Sequence, residues 1–250
     1  MVTSLIAGGV TFAFTTVLTI AGVGAAFILI PVFIALGVDI HAAMATALLL
    51  NAIAMTFASY RFYKDDLIMW RVALPILIVA TALSPLGAWV SRLFDRDLLL
   101  WLFTAFLAFA AAMMLFYRPK AAGREFSKKT QVISGLLIGA AAGFLGGLLG
   151  VGGGNFIVPV LVWMGYDPKK SSATTSFIVI FSSFSGFLGH ASMGPMNVPL
   201  LSFTAVGSAG GSLLGAWLMS KKLNQAQVKA LIGVVLLAIA VKMAWNLLVK

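Results

Sequence analysis

Long runs without a charged side chain constrain the fold of this chain more than any other feature. No Asp, Glu, Lys or Arg occurs in residues 1–38, 42–60 or 72–91. A helix needs about 20 apolar residues to cross the hydrocarbon core of a bilayer, and several segments reach that length. Hydrophobic residues make up 61% of the chain and charged residues only 10%, which excludes a soluble domain with one buried helix. We therefore predict an all-α polytopic membrane protein.

An internal repeat becomes visible when the sequence is shifted by 128 residues against itself. The matched positions include glycine, proline, aspartate and tryptophan: Gly22 with Gly150, Gly24 with Gly152, Pro31 with Pro159, Gly37 with Gly165, Asp39 with Asp167, and Trp89 with Trp217. Shared apolar composition would not align these residue types in one register. We predict a first membrane repeat over residues 1–117, a basic cytoplasmic linker over 118–129 and a second membrane repeat over 130–250.

The number of segments in each half decides whether the repeats are parallel or inverted. The second apolar segment, near residues 25–37, is too short to span a bilayer comfortably as a helix. Merging it with the first segment gives four crossings per half and a parallel repeat. Counting it separately gives about five helical segments per half and two inverted repeats. Most loop cations then lie on one side, with only Arg92 and Arg96 opposite, so the positive-inside rule favours inverted repeats with both termini outside.

Each half begins with a helix, a glycine-rich break, a short apolar piece and a proline. The second break contains Gly150, Gly152, Gly153 and Gly154. Each interior glycine costs a helix about 1 kcal/mol relative to alanine, so this run interrupts the helix. Non-helical backbone at membrane depth must be buried in protein or line a cavity. Matching breaks in two halves therefore indicate half-helices around a transport site near the midplane, where N–H groups and the positive helix end favour an anion.

Glycine also permits close packing of membrane helices, and part of the pattern has that explanation. Two ladders recur at four-residue spacing, one formed by Gly135, Gly139, Gly143 and Gly147 and the other by Gly207, Gly211 and Gly215. Small residues at this spacing form a ridge that fits another helix. The three consecutive glycines at 152–154 cannot all lie on one such face, so packing alone does not account for them.

Hydroxyl and amide side chains are the polar groups that the predicted spans offer to a ligand. Thr46 and Asn51 follow the first break, and the Ser- and Thr-rich residues 171–185 follow the second. All seven acidic residues lie in loops or at segment ends, so no intramembrane carboxylate pair or proton relay is expected. Asp167 is predicted to form a turn or helix cap, as is its repeat counterpart Asp39. His190 is the candidate for proton coupling.

No cofactor, metal site or nucleic-acid partner is expected. The chain has no cysteine, and its two histidines form no cluster of metal ligands. The formal net charge of +10 is assigned to loop cations that meet lipid headgroups. An enzyme is not indicated, because Ser185 and His190 have no acidic residue close to them in sequence. A homodimer is compatible with the sequence.

One motif in the second half runs from Gly150 to Pro159 and continues at Gly165–Pro168 and Ala173–Ser176. It resembles the sulfite exporter TauE/SafE family, and the first half carries a weaker copy with Ala25 and Ala26 in place of glycines. The resemblance implies a permease of a bacterial-type inner membrane for sulfite or an organosulfur anion such as a sulfonate. It also implies a substrate site at Gly152, Gly153, Gly154, Asn155, Thr174, Thr175 and Ser176, with Gly22, Gly24, Thr46 and Asn51 as first-half counterparts.

Three functions are compatible with these observations. The favoured one is a secondary transporter of a small anion that works by alternating access between the two repeats. The alternatives are a passive anion channel and a non-transporting membrane scaffold whose glycines serve packing alone. If the site lies at the second break, Gly153→Leu is expected to abolish transport and to leave the protein folded.

Overall fold

The described part of the chain forms ten α-helices and one short π-helix. The computed structural model describes residues 2–35, 40–91, 93, 96–116, 127–191 and 198–248. The helices of the first half are α1 (Val2–Ala21), α2 (Ala26–Ala35), α3 (Ile40–Lys64), α4 (Trp70–Val90) and α5 (Arg96–Phe116). Those of the second half are α6 (Lys128–Leu148), α7 (Gly154–Trp163), α8 (Pro168–Ala191), α9 (Val198–Trp217), the π-helix Leu218–Lys222 and α10 (Gln225–Leu248). These residues contain no strand, so the all-α prediction is confirmed.

Each half therefore contributes five α-helices, as the segment pattern predicts. The second helix of each half, α2 or α7, has only ten residues, and a helix of that size is about 15 Å long, half the hydrocarbon thickness of a bilayer. Within the described ranges, six helices are long and apolar enough to cross a membrane, namely α3, α4, α6, α8, α9 and α10. The chain is a multi-pass membrane protein. Most of the predicted linker, residues 118–129, lies outside the described residues.

Local capping groups determine where two of the second-half helices begin. Ser127 Oγ accepts a hydrogen bond from the backbone N–H of Thr130 at the start of α6. Asp167 Oδ1 accepts one from the backbone N–H of Lys170 (2.9 Å) at the start of α8. A side-chain oxygen at this position satisfies an N–H group that the helix itself leaves unpaired. The predicted capping role of Asp167 is confirmed, whereas Asp39 lies outside the described residues.

The two glycine ladders bring helices of opposite halves into close contact. Gly139 of α6 lies against the backbone of Ile76 in α4, and Gly143 lies against the backbone of Ala80 one turn later. The second ladder lies in the same way on carbonyl groups of α1, with Gly207 at Gly8, Gly211 at Phe12 and Gly215 at Thr16. Residue numbers rise together in both pairs, so α4 is parallel to α6 and α1 is parallel to α9. The packing role predicted for the ladders is confirmed.

The helices α3 and α8 are counterparts in the repeat, and they cross at the centre of the bundle in opposite directions. Asn51 of α3 bonds to Ser183 of α8. Leu48, three residues earlier in α3, lies beside Gly186, three residues later in α8. Residue numbers therefore fall along one helix as they rise along the other, and the two copies of this helix are antiparallel.

The outer surface of the bundle is apolar. Large side chains such as Ile78 and Phe109 are more than 60% exposed, which suits contact with lipid tails and would promote aggregation in water. Trp89, Trp163 and Trp245 are exposed near the ends of their helices. Tryptophan is enriched at this level because its ring suits the boundary between the lipid tails and water.

Candidate functional site

Both glycine-rich breaks adopt a backbone conformation that glycine enters readily. The φ angles are +71° at Gly22 and +74° at Gly24, and they are +66° and +70° at the counterparts Gly150 and Gly152. A residue with a Cβ atom pays about 1–2 kcal/mol in this left-handed region. The turn itself therefore requires glycine, and the chain builds the same turn twice.

The two breaks touch each other inside the bundle. A methyl group on Gly154 would lie 2.9 Å from the Cα atom of Val23 and 3.0 Å from the carbonyl oxygen of Gly22. Backbone therefore meets backbone at this point, with no room for a side chain between them. We call this region, residues 22–25 and 150–154, the break junction.

Each break is also held by the central helix of the opposite half. Gly22 lies against Ser172 of α8, and Gly150 lies against Met44, which occupies the equivalent position in α3. Ser172 Oγ also donates a hydrogen bond of 2.9 Å to the carbonyl oxygen of Ile20, near the end of α1. The antiparallel helices α3 and α8 thus enclose the break junction from both sides.

The short helices α2 and α7 both begin at the break junction. The first leads to the start of α3 and the second to the start of α8. Because α3 and α8 run in opposite directions, the two half-helices leave the junction toward opposite ends of the bundle. A helix N-terminus carries a partial positive charge and unpaired N–H groups. Two such termini converge here, which creates an environment that favours an anion.

Asn51 caps the N-terminal end of α2. Its Oδ1 accepts a hydrogen bond of 3.1 Å from the backbone N–H of Ala25, and its Nδ2 donates one of 3.0 Å to Ser183 Oγ. The side chain is fully buried, so protein groups satisfy both of its polar atoms. The shift of 128 residues places Asn51 on Val179. Asn51 is therefore not the counterpart of a second-half site residue, which corrects the assignment made from the sequence.

The N-terminus of α7 has no such cap. Gly153 occupies the N-cap position and makes no side-chain hydrogen bond, and apolar Val179 replaces the capping amide. Asn155, in the first turn of α7, is fully buried, and neither its Nδ2 nor its Oδ1 has a hydrogen-bond partner. Leaving a polar group buried and unpaired costs about 1–3 kcal/mol. The fold thus leaves this buried amide unpaired beside an uncapped helix end.

Three of the four hydroxyl residues predicted for the site already use their oxygen atoms within the protein. Thr46 and Ser176 donate to the carbonyl groups four residues earlier in their own helices, at 2.7 and 2.9 Å. Thr174 Oγ1 accepts from the backbone N–H of Met69 at 2.9 Å, just before α4. Thr175 is fully buried, and its hydroxyl has no partner. Among these four, Thr175 has the hydroxyl that a ligand can use.

Gly153 is confined by a neighbouring helix as well as by its own turn. A methyl group on Gly153 would lie 3.0 Å from the carbonyl oxygen of Ala142 in α6. That separation is shorter than an ordinary van der Waals contact, so a larger side chain would push α6 aside. Gly153→Leu should therefore reduce stability as well as transport, which revises the expectation that this variant keeps its fold.

His190 lies at the end of α8, beside the last turn of α6. The imidazole is fully buried, and its Nε2 is 3.0 Å from the carbonyl oxygen of Gly147. Because a carbonyl oxygen only accepts, Nε2 carries the hydrogen atom in this contact. Gly147 is also the end of the glycine ladder and lies against Ser84 of α4. The imidazole therefore joins a tightly packed meeting point of three helices, and its role in proton coupling stays a prediction.

Two residues that contact the break junction were missing from the site predicted from the sequence. Ser172 and Ser183 of α8 bond to the end of α1 and to Asn51, respectively. They are eleven residues apart, so both lie on the same face of the helix. The available signal was the high serine content of α8, but sequence alone does not tell which serine meets which partner.

The junction contains no fixed counter-charge for an anion. Within the described residues, the buried polar side chains are Ser, Thr, Asn and His, without Asp, Glu, Lys or Arg. Any negative charge held there would be stabilised by neutral hydrogen-bond donors and by the two helix ends.

A multi-pass helical bundle whose two halves each bring a broken helix to one uncharged junction has the construction of a membrane transporter. The sequence profile of the sulfite exporter TauE/SafE family matches residues 6–243. The chain therefore belongs to the TauE/SafE family of membrane transporters.

Relatives of the chain carry transporter names. It is 25% identical to the probable membrane transporter protein YunE of Bacillus subtilis, with 92% of this chain and 93% of that protein covered. It is also 25% identical to the probable membrane transporter protein MJ0441 of Methanocaldococcus jannaschii, with 82% and 80% covered. It is 36% identical to sulfite exporter TauE/SafE family protein 2 of Arabidopsis thaliana, with 34% of this chain and 18% of that protein covered. No solved structure matches the chain.

Proposed function

We propose that this protein is a secondary transporter of a small oxyanion and that the uncapped N-terminus of α7 binds the substrate. The observation that carries the proposal is the fully buried, unpartnered amide of Asn155 in the first turn of that half-helix. Thr175 supplies a second buried hydroxyl without a partner. The N-terminus of α7 has no side-chain cap, so its positive end can complement these two side chains in holding an anion.

Sulfite or an organosulfur anion such as a sulfonate is the proposed substrate. These anions carry several oxygen acceptors on one sulfur atom, which suits a group of N–H, amide and hydroxyl donors. The family name supports the same chemistry. Because neutral donors hold an anion without a fixed counter-charge, release is expected to be easy, as transport requires. No catalytic residue is assigned.

The proposed mechanism is alternating access between two inverted repeats. The antiparallel course of α3 and α8 supports inversion, since equivalent helices of a parallel repeat would point the same way. Loops of both halves also meet at one basic end, where Lys221 pairs with Asp65 (2.6 Å) and Lys169 Nζ donates to the carbonyl oxygen of Ser220 (2.9 Å). In a bacterial-type inner membrane, the positive-inside rule places this end in the cytoplasm and both chain termini outside.

A reporter fused after Lys250 tests this orientation. Alkaline phosphatase, which is active outside the cytoplasm, should be active in the fusion, and a fluorescent protein that matures only in the cytoplasm should stay dark. Bright fluorescence with an inactive phosphatase would place the C-terminus inside and contradict the orientation.

Counterflow in proteoliposomes tests the proposed function itself. The labelled solutes are sulfite, thiosulfate, sulfoacetate and a carboxylate without sulfur. We expect saturable exchange of at least one sulfur anion in preference to the carboxylate. Uncoupled conductance would support a passive anion channel instead. Absence of flux in well-folded vesicles for all four solutes would support a non-transporting scaffold.

A further inference from the structure

One face of α8 carries three buried hydroxyl groups that have no partner. Ser171, Thr175 and Ser182 are at most 1% exposed, and none of their side-chain oxygen atoms makes a hydrogen bond. Their spacing of four and seven residues keeps them within about 40° on one face of the helix and spreads them over about 16 Å. We call these three residues the hydroxyl track.

The hydroxyl track lies between two faces of α8 that already have partners. On one side, Thr174 and Ser185 bond to α4 and the residue that precedes it. On the other side, Ser172 and Ser183 bond to α1 and α3. At 100° per residue, the direction of the track falls between these two sets. The track therefore faces the protein interior and not the lipid.

The track connects the basic end of the bundle with the second break. Ser171 follows Lys169 and Lys170 in the first turn of α8. At the other end, Ser182 is next to Ser183, whose Oγ would lie 2.7 Å from a methyl group on Gly152. The three hydroxyls thus span the interval between the loop cations and the second break.

The first half of the protein has no equivalent track. The repeat counterparts of the three residues are Ala43, Ala47 and Ala54, which are fully buried in α3. Alanine serves at the same three positions of the equivalent helix, so packing does not require hydroxyl groups there. An unpaired buried hydroxyl opposes folding. Three unpaired hydroxyl groups on one helix face are therefore expected where a ligand or water forms hydrogen bonds with them.

The short helix beside α8 shows the same difference between the halves. Asn155 of α7 is fully buried without a partner, whereas its first-half counterpart is Phe27. The turn that joins α7 to α8 spans residues 164–167, and equal distances from this turn place Asn155 near the level of Thr175. Polar groups on two helices of the second half, each replaced by an apolar residue in the first, thus lie at the same level of the bundle.

We propose that the hydroxyl track is the polar route along which the substrate and water pass between the second break and the basic end of the bundle. The corresponding route along α3, toward the opposite end, is lined by alanine. The routes along α8 and α3 therefore differ in polarity, although the repeat gives the two helices equivalent backbones. This inference deepens the transporter proposal and rests on it.

Cysteine labelling tests the route without needing a known substrate. The chain has no cysteine, so single variants can be made directly in the natural sequence. The α8 variants Ser171→Cys, Thr175→Cys and Ser182→Cys are compared with the matched α3 variants Ala43→Cys, Ala47→Cys and Ala54→Cys. The probe is a small, negatively charged methanethiosulfonate reagent, added to permeabilised membranes. We expect the α8 cysteines to react several-fold faster than their α3 counterparts, and equal rates in the two sets would overturn the proposal.

Removal of the hydroxyls provides a second readout. In the triple variant Ser171→Ala, Thr175→Val and Ser182→Ala, we expect the counterflow rate to fall about tenfold, the loss that one missing ligand hydrogen bond typically causes. The melting temperature should stay equal or rise, because the removed groups have no partner in the protein. An unchanged counterflow rate would show that transport does not use the hydroxyls, and a lower melting temperature would show that they serve the fold. Either result would overturn the proposal.

Measurements on the wild-type protein distinguish a failure of the transporter proposal from a failure of the route proposal. If the wild type shows no counterflow of any tested anion, the transporter proposal fails, whatever the cysteines do. If the wild type is active and the α8 cysteines do not react faster than those of α3, the route alone fails.

Discussion

At the scale of single residues, Asn51 and Asn155 have the same side chain and differ in what surrounds it. Asn51 bonds to the backbone of Ala25 and to Ser183, so it joins the first break to α8. Asn155 is equally buried and has no partner. The first amide stabilises the fold, and the second is the group that we propose binds the substrate.

Replacement of each asparagine by leucine should therefore give opposite results. Asn51→Leu leaves the Ala25 N–H and the Ser183 hydroxyl without their partner, so we expect the free energy of unfolding to fall by about 1–3 kcal/mol. Asn155→Leu removes a group that has no partner, so stability should be equal or higher while transport is lost. Thermal melting and counterflow measured on both variants check this. Loss of stability in Asn155→Leu with full transport in the folded fraction would contradict the assignment.

At the scale of helices, glycine performs two separate tasks. In the breaks, positive φ angles at Gly22, Gly24, Gly150 and Gly152 require it. In the ladders the backbone is helical, and glycine is needed because a neighbouring helix backbone lies where a Cβ atom would be. The same residue type thus ends a helix in one place and joins two helices in another.

Gly143→Ala tests the ladder, with Gly9→Ala as its matched control. A methyl group on Gly143 would overlap the backbone of Ala80, so α4 and α6 would have to separate and stability should fall by about 1–3 kcal/mol. Gly9 lies within α1 and has nothing within 4 Å of that methyl position, so alanine should leave stability unchanged or raise it by up to about 1 kcal/mol. Thermal melting of the two variants in the same detergent gives the comparison, and equal effects would argue against tight packing of the ladder.

At the scale of the whole molecule, an ion pair links the two halves at the basic end. Lys221, in the π-helix after α9, lies 2.6 Å from Asp65, which follows α3 and also contacts Arg61 at 3.3 Å. Burial raises the pKa of Asp65, but hydrogen bonds from Lys221 and Ser220 and the charges of Lys221 and Arg61 outweigh it. The pKa of this carboxyl therefore lies below its usual value of 3.8.

Asp65→Asn should consequently lower the stability of the protein only at pH values at which the wild-type carboxylate is ionised. A lowered pKa in the folded state means that the stabilisation is present above the ordinary pKa of Asp and is lost as the pH falls through the lowered value. Lys221 is half exposed, so the expected loss at pH 7 is at most about 1 kcal/mol, or roughly 2–4 °C in melting temperature. The difference from wild type should shrink as the pH falls below the ordinary pKa of Asp, and it should vanish once the pH is below the lowered pKa of the folded state.

The neighbouring Asp66 provides the control for this ion pair. It is exposed and has a φ of +52°, a conformation that Asn tolerates well. Asp66→Asn should therefore change the melting temperature less than Asp65→Asn at pH 7. Equal shifts in the two variants, or a shift in Asp65→Asn that persists in acid, would show that the ion pair does not stabilise the contact between the halves.

The count of about five helical segments per half and the position of both breaks could be predicted from the sequence. These features depend on local physics, since apolar length determines what can cross a bilayer and glycine determines where a helix ends. The repeat in the sequence also correctly identified α2 and α7 as equivalent short helices. Membership of the TauE/SafE family followed from the same local motifs.

Tertiary structure alone decided which polar groups of the candidate site remain available. Thr46, Thr174, Thr175 and Ser176 are indistinguishable as hydroxyl donors in the sequence, yet only Thr175 lacks a partner. Asn51 forms a hydrogen bond with Ser183, which lies 132 positions later in the chain, and no local pattern specifies this contact. A buried polar side chain stabilises the fold when a partner lies opposite it, and it stays unpaired when none does. That partner often comes from a helix of the other half, so the pairing is decided only when the two halves pack together.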